Sequence, residues 1–202
     1  MQTYQQLQKE LGFEAELPVT VDWSAAPDFL FLIKEQVLKN KPQTIVECSS
    51  GLTTLTLARC CQLNGKGKVY SLENGEEYAE QSRDNLTAFK LDKQAQVIHA
   101  PLVPVSIGSN HYDWYSLNNL PDLPIEMLVI DGPPGFIQKH SRFPAIPKLF
   151  ERLANNAVVF LDDAGRDEEK ELVAMWMELY PEIEHEYIDT ERGCSILRVN
   201  KD

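Results

Sequence analysis

Four carboxylates stand at the ends of short apolar, β-branched runs: Glu47 after Thr44-Ile45-Val46, Glu73 after Val69–Leu72, Asp131 after Glu126–Ile130, and Asp162, followed by Asp163, after Ala157–Leu161. A fifth run, Ala95 to Ala100, ends on a small residue. If these runs are parallel strands of one sheet, their ends share the crevice in which such sheets bind ligands. Carboxylates gathered there repel one another unless a cation, a ligand hydroxyl or a protein donor compensates. The chemistry on offer is therefore recognition of a hydroxylated or cationic molecule, or of a hard metal ion. In a chain with 31 acidic residues, acids at solvated loops are the plainer alternative.

The elements that must position these acids can be read from the pattern. After Glu47 the chain breaks into Ser49-Ser50-Gly51 and resumes as a helix from Leu52, which Asn64-Gly65-Lys66-Gly67 ends. A Ser-Gly turn lets a ligand approach the backbone, and the free N–H groups of the following helix suit polar or anionic groups, although an ordinary βα connection looks the same. Glu73 follows Glu47 by 26 residues, near the spacing at which nucleotide-binding α/β folds place an acid on ribose hydroxyls. A polar helix over Glu76 to Lys90, with Tyr78, Leu86 and Phe89 as its apolar points, separates the second strand from the third. This βαβαβ period demands a parallel sheet with crossover helices. Helices are also expected over Tyr4–Leu11, over Ala26–Lys39 with Ser24 as cap, from Pro144 or Ala145 to Leu153, and from Asp167 to Tyr180 with Leu172, Val173, Trp176 and Leu179 inward. Glu184–Asp189 and Ser195–Val199 are too close in sequence for a crossover helix, so they form an antiparallel pair. Between Pro101 and Pro124 the pattern is lost, and His111-Tyr112-Asp113-Trp114-Tyr115 reads as packing or as a substrate or adenine wall.

On these residues the chain resembles the class I S-adenosylmethionine-dependent methyltransferases. Glu47-Cys48-Ser49-Ser50-Gly51-Leu52-Thr53 matches their E/D-x-G-x-G-x-G motif, with Ser49 and Thr53 in place of glycines, and Glu73 matches their ribose-binding acid. Asp131-Gly132-Pro133-Pro134-Gly135, then Arg142-Phe143-Pro144-Ala145, then Leu161-Asp162-Asp163-Ala164-x-Arg166 look like a small-molecule subgroup related to the catechol O-methyltransferase type. The resemblance implies a Rossmann-like α/β fold with a seven-stranded, mostly parallel sheet in the order 3-2-1-4-5-7-6 and a C-terminal antiparallel hairpin. It implies S-adenosylmethionine as cofactor, held by Glu47, Ser49, Ser50, Gly51, Thr53, Glu73, Asn74, Ala100 and Asp131. The sulfonium, α-ammonium and ribose hydroxyls of that cofactor suit an acidic rim. In the resembled enzymes a Mg2+ ion bridges the acceptor hydroxyls; here Asp131 and Asp162 match its ligands in position and Asp163 replaces an Asn. The same three aspartates could instead orient acceptor or cofactor directly, cap the next helix, or pair with arginine. Asp131, Asp162 and His140 are the candidate catalytic residues, with a plain loop role as the alternative for His140. Arg142 and Arg166 would bind an acidic acceptor or pair with Asp163 or Glu169.

The chain of 202 residues suits one domain, with residues 1–43 as an N-terminal helical cap on the methyltransferase domain at 44–202. A formal net charge of −12 disfavours nucleic acid and anionic membranes as partners. The only basic cluster is Lys139, His140, Arg142, Lys148 and Arg152, which reads equally as a solvated face. Cys48, Cys60, Cys61 and Cys194 show neither zinc nor disulfide spacing and read as buried thiols. No leader or membrane span is apparent, so a cytoplasmic protein is expected. A small-molecule acceptor is the expected partner, and a homodimer stays open. The leading function is methyl transfer to a small molecule at oxygen. The alternatives are a non-catalytic S-adenosylmethionine-binding protein and a nicotinamide-dependent oxidoreductase, which would need a fuller glycine fingerprint than Ser49-Ser50-Gly51.

Overall fold

The computed structural model describes residues 2–201. Its nine strands are β1 (Thr44–Cys48), β2 (Lys68–Glu73), β3 (Ala95–His99), β4 (Leu102–Ile107), β5 (Asn110–Tyr115), β6 (Ile125–Ile130), β7 (Leu153–Leu161), β8 (Ile183–Ile188) and β9 (Cys194–Val199). Seven of them form one sheet in the order β3-β2-β1-β6-β7-β9-β8, parallel from β3 to β7 and antiparallel at β9 and β8. With the separate β4–β5 ribbon set aside, this is the expected order 3-2-1-4-5-7-6. The four strand-end acids lie along the carboxyl edge of neighbouring strands, because Glu73, Cys48, Ile130 and Leu161 end β2, β1, β6 and β7 in register.

The central strands are apolar throughout, as a sheet covered on both faces requires. Alternate residues serve different cores. Ile45, Met127 and Val129 pack with α1 (Tyr4–Glu10), α2 (Pro27–Asn40) and α3 (Leu52–Asn64) through Leu7, Phe29, Ile33 and Leu55. On that same face Ala79 and Leu86 bury α4 (Glu76–Ala88). Val46, Leu128 and Ile130 pack on the opposite face with α5 (Ala145–Leu149) and α6 (Asp167–Leu179) through Ile146, Leu172 and Trp176. No helix among the described residues is long and apolar enough to cross a membrane, and all four cysteines are buried and free.

Several local expectations differ from the fold. Pro101–Pro124 is not patternless: β4 and β5 pair antiparallel across the two-residue turn Gly108-Ser109, with Gly108 at φ 58°. Pro104 and the polar residues masked the alternation, since proline is tolerated here only on a two-stranded edge. Tyr112 and Trp114 are two apart on β5 and both turn inward, so this aromatic group is packing. Ser24 does not cap α2; its Oγ accepts from the Thr20 N–H (2.9 Å), and Ala26 holds the cap position without a side-chain bond. Tyr78 and Leu179, expected inward, are 63% and 54% exposed. Leu153 opens β7 rather than ending a helix, because the chain leaves α5 through a single 3-10 turn, Phe150–Arg152.

Candidate active site

The turn after β1 is held from two sides by carboxylates. The N–H and hydroxyl of Ser50 both donate to Glu73 Oε2 at 2.9 Å, and the Gly75 N–H donates to Glu73 Oε1 at 3.1 Å, so Glu73 ties the ends of β1 and β2 together. From beneath, the Thr54 hydroxyl donates to Glu47 Oε2 at 2.5 Å and accepts from the Gly51 N–H at 3.0 Å. Gly51 adopts φ 157° and ψ −135°, a pair of angles that glycine alone takes without strain. A Cβ built on Gly51 would meet no protein atom within 4 Å, so the space over this turn is free for a ligand. Glu47 is wholly buried and its Oε1 has no partner. Burial pushes its carboxyl up to about 7, against the hydrogen bonds it accepts.

At the ends of β6 and β7, Asp131, Asp162 and Asp163 offer carboxylate oxygens that all lie within 4.8 Å of one another. Arg142, 3% exposed, is inserted into this group from the loop after β6. Its Nη1 donates to the Asp162 carbonyl (2.8 Å), and its Nη2 donates to Asp163 Oδ2 (2.8 Å) and the Asp131 carbonyl (3.2 Å) and reaches Asp131 Oδ1 at 3.4 Å. Glu169 of α6 stands 3.9 Å from Arg142 Nε, and Arg166 closes the outer side with a 2.9 Å contact to Asp163 Oδ2. Four carboxylates thus face two guanidinium groups. Burial raises the Asp131 carboxyl well above the ordinary range, and the Asp162 charge adds to it against the pull of Arg142. Burial and the neighbouring Asp163 raise Asp162 to about 6, although Asp162 Oδ1 accepts from the Asp163 N–H at 2.8 Å. Each member of the Asp131–Asp162 pair thus makes ionisation of the other harder. Asp162 Oδ2 and Asp163 Oδ1 are buried without a partner.

The sequence matches a family model described as a methyltransferase domain over residues 46–164, more than half of the chain, from within β1 to just past the end of β7. The chain belongs to this methyltransferase family. No curated protein sequence matches it. Among solved structures it is similar to the O-methyltransferase from Bacillus cereus in complex with SAH, at 16% identity and TM-score 0.67, covering 98% of this chain and 90% of that one. TomG, an O-methyltransferase of Streptomyces achromogenes involved in tomaymycin synthesis and solved in complex with SAM, gives 14% identity and TM-score 0.67 over 97% and 87% of the two chains. The SAH-bound methyltransferase PaMTH1 of Podospora anserina gives 13% identity and TM-score 0.70 over 98% and 88%. At such identities these likenesses speak for the fold.

Within this methyltransferase the candidate residues divide by place. Ser49, Ser50, Gly51 and Asn74 are half-buried at the turns after β1 and β2, where a ligand can reach them. Glu47, Thr53 and Ala100 are buried; Ala100 donates its N–H to the Glu73 carbonyl at 2.7 Å, and Glu47 acts on the turn through Thr54. His140 sits apart: its ring bonds Glu171 Oε2 at 2.8 Å and its N–H bonds Glu168, so its contacts are with α6 and not with the aspartates. Its φ of 55° marks it as a loop residue that turns the chain towards Arg142. Neither Asp162 nor Asp163 forms a side-chain cap on α6; Asp163 pairs with Arg142 and Arg166, and Asp162 Oδ1 accepts from the Asp163 N–H.

Two features went unread in the sequence. Tyr115, 1% exposed, has a buried hydroxyl without a partner, and a Cβ on Gly132 would come within 2.5 Å of it and within 2.8 Å of Ser49. The glycine after Asp131 is thus what lets β5 press against the β1 turn. Trp23 and Phe136, 64% and 80% exposed, stack edge to face with centroids 6.5 Å apart, joining the N-terminal link to the loop after β6. Both are isolated aromatics in irregular sequence, which carry no periodic signal.

Proposed function

We propose that the chain transfers the methyl group of S-adenosylmethionine to a hydroxyl of a small molecule. The observation that carries this reading is the crevice in which Glu73 and the Ser49–Gly51 turn frame open space beside Asp131, in a chain of the methyltransferase family. The SAH- and SAM-bound relatives of the same fold support it. Glu73 keeps acceptor capacity for ribose hydroxyls beyond its bonds to Ser50 and Gly75. A nicotinamide cofactor is disfavoured because its pyrophosphate would face Glu73 and Asp131 rather than a glycine-rich cradle.

In the reaction the acceptor oxygen attacks the methyl carbon in line with the carbon–sulfur bond, which breaks and leaves the sulfur as a thioether. The hydroxyl proton passes to Asp162, whose carboxyl burial and the neighbouring Asp163 raise to about 6. Asp131, Asp162 and Asp163 also fit a hard divalent cation: their oxygens converge, two are orphaned, and the surrounding arginines leave net negative charge. Such an ion, when bound, would lower the pKa of the acceptor hydroxyl. Arg142 already lies against Asp131 and Asp163, however, and the proton has a seat on Asp162 without an ion.

Calorimetry should show S-adenosylhomocysteine binding and no comparable binding of NAD. In Glu73→Ala that affinity should fall by about 1.5–3 kcal/mol, the loss of hydrogen bonds to a charged acceptor. Unchanged affinity would mean that the end of β2 does not hold the ribose. Methyl transfer should survive exhaustive chelation and be lost in Asp162→Asn. Loss on EDTA with recovery on added Mg2+ would instead assign the aspartates to a metal.

A further inference from the structure

Tyr115 closes β5 with a fixed ring and an uncommitted hydroxyl. The ring lies edge to face on Trp114 with centroids 5.4 Å apart, and the pairing of Tyr115 with Leu102 holds its backbone. The hydroxyl is buried and has no partner among the described residues. Burial, with Cys48 and Glu73 close by, raises the phenol well above its ordinary value, so it stays a neutral group that can donate and accept. A buried hydroxyl left unpaired destabilises a fold, and phenylalanine would fill the same place without that penalty. A partner for it stands across Gly132. A Cβ on that glycine would come within 2.5 Å of the Tyr115 hydroxyl and 2.8 Å of Ser49 Cβ, so the two side chains flank one point at the seam of β1 and β6.

Ser49 is the complementary case. Its N–H donates to the Leu72 carbonyl at 2.8 Å and its carbonyl accepts from the Ser71 hydroxyl at 3.2 Å, which holds the backbone at φ 85°, while its own hydroxyl bonds nothing among the described residues. The rest of the turn is committed: Ser50 and Gly51 donate their N–H groups to Glu73 and Thr54, and the Ser50 hydroxyl is shared between Glu73 and Ser82. S-adenosylmethionine with its ribose on Glu73 and its methyl towards Asp162 has its sulfur over the β1–β6 seam, because β1 and β6 lie between β2 and β7. The amino-acid arm starts there, and its carboxylate enters a crevice rimmed by Glu73 and Asp131, where it is repelled unless a donor meets it. The half-buried Ser49 hydroxyl is the turn's uncommitted donor. A lone serine hydroxyl rotates freely; a second hydroxyl that donates to it from behind turns its proton outwards. We infer that Tyr115 is a positioning residue of the cofactor site, whose hydroxyl donates to Ser49 Oγ and so aims the Ser49 proton at the carboxylate of the cofactor's amino-acid arm.

This inference rests on the methyltransferase reading above, and calorimetry with two ligands separates the two. Tyr115→Phe should lower S-adenosylhomocysteine affinity about tenfold and leave unchanged the affinity for 5′-methylthioadenosine, which lacks the amino-acid arm. Without ligand, Tyr115→Phe should unfold in urea at the same concentration as the parent or a higher one. In a Ser49→Ala background Tyr115→Phe should lower S-adenosylhomocysteine affinity no further, because the two hydroxyls act as a unit. Unchanged S-adenosylhomocysteine affinity in Tyr115→Phe, equal losses for the two ligands, or additive losses with Ser49→Ala would overturn the inference. A Tyr115→Phe protein less stable than the parent would equally overturn it, since the hydroxyl would then belong to the packing of the free protein. A parent protein that does not bind S-adenosylhomocysteine would instead remove the reading on which the inference rests.

Discussion

Replacing Arg142 by methionine should destabilise the fold by about 3–5 kcal/mol, the usual cost of leaving buried charges without their partner. The guanidinium is the shared donor for Asp163, the Asp131 carbonyl and the Asp162 carbonyl, and Asp163 and Glu169 are each only 5% exposed in their side chains. Burial disfavours the charge on Arg142, yet Asp131, Asp163 and Glu169 outweigh burial and hold it protonated. Without it the carboxyl groups must take up protons or repel one another across the ends of β6 and β7. The folded pKa values of Asp131, Asp162 and Glu169, already raised by burial, would then rise further above the unfolded ones. Groups raised in this way favour folding at low pH and lose that contribution as pH climbs, so the deficit of the variant should shrink towards acid and widen towards neutrality. Urea unfolding across this range reads the effect. Adding Asp163→Asn to Arg142→Met should recover part of the loss. If Arg142→Met unfolded like the parent at neutral pH, the guanidinium would not be what holds the aspartates together.

Glu47 should make the protein less stable at neutral pH than in mild acid. Its carboxyl rises from 4.5 to about 7 in the fold, chiefly because it is buried. Below 4.5 it is neutral in both states and its contribution is fully present. Between 4.5 and 7 the unfolded chain ionises while the folded one does not, and the contribution is lost, amounting to about 3 kcal/mol by pH 7 and beyond. Glu47→Gln keeps an acceptor for Thr54 and removes the titration. The difference in unfolding free energy between parent and variant should therefore swing by that amount across the interval, in favour of the glutamine protein at high pH. Parallel pH profiles would show that Glu47 is ionised in the fold. Because Glu47 steadies the Ser49–Gly51 turn through Thr54, cofactor affinity should follow the same titration more weakly.

Local pattern carried much of the architecture. Hydrophobic runs of strand length, each ended by an acid and followed by a helical period, specify β1, β2, β6 and β7 and place Glu47, Glu73, Asp131 and Asp162 at one edge, because parallel strands must all point the same way. The short gap before β9 dictated the antiparallel finish. The Ser-Ser-Gly break marked the turn that Glu73 ties down. Each of these is a matter of spacing along the chain.

Contacts between distant segments were decided only in three dimensions. Whether Arg142 met an acceptor or the aspartates depended on a loop that brings it back to Asp131 and Asp162, 11 and 20 residues away, and into a site dry enough to demand a counter-charge. The inward turn of Tyr112, Trp114 and Tyr115 depended on a ribbon whose alternation Pro104 disguised. Gly165 and Gly193 meet only because neither carries a Cβ, and their approach sets the loop bearing Arg192 beside the turn bearing Arg166. Periodicity reports which face of an element is apolar; it holds no information on which charged side chains from separate loops will share one buried volume. That is settled by packing, and there the cost of an unmatched charge selects the arrangement.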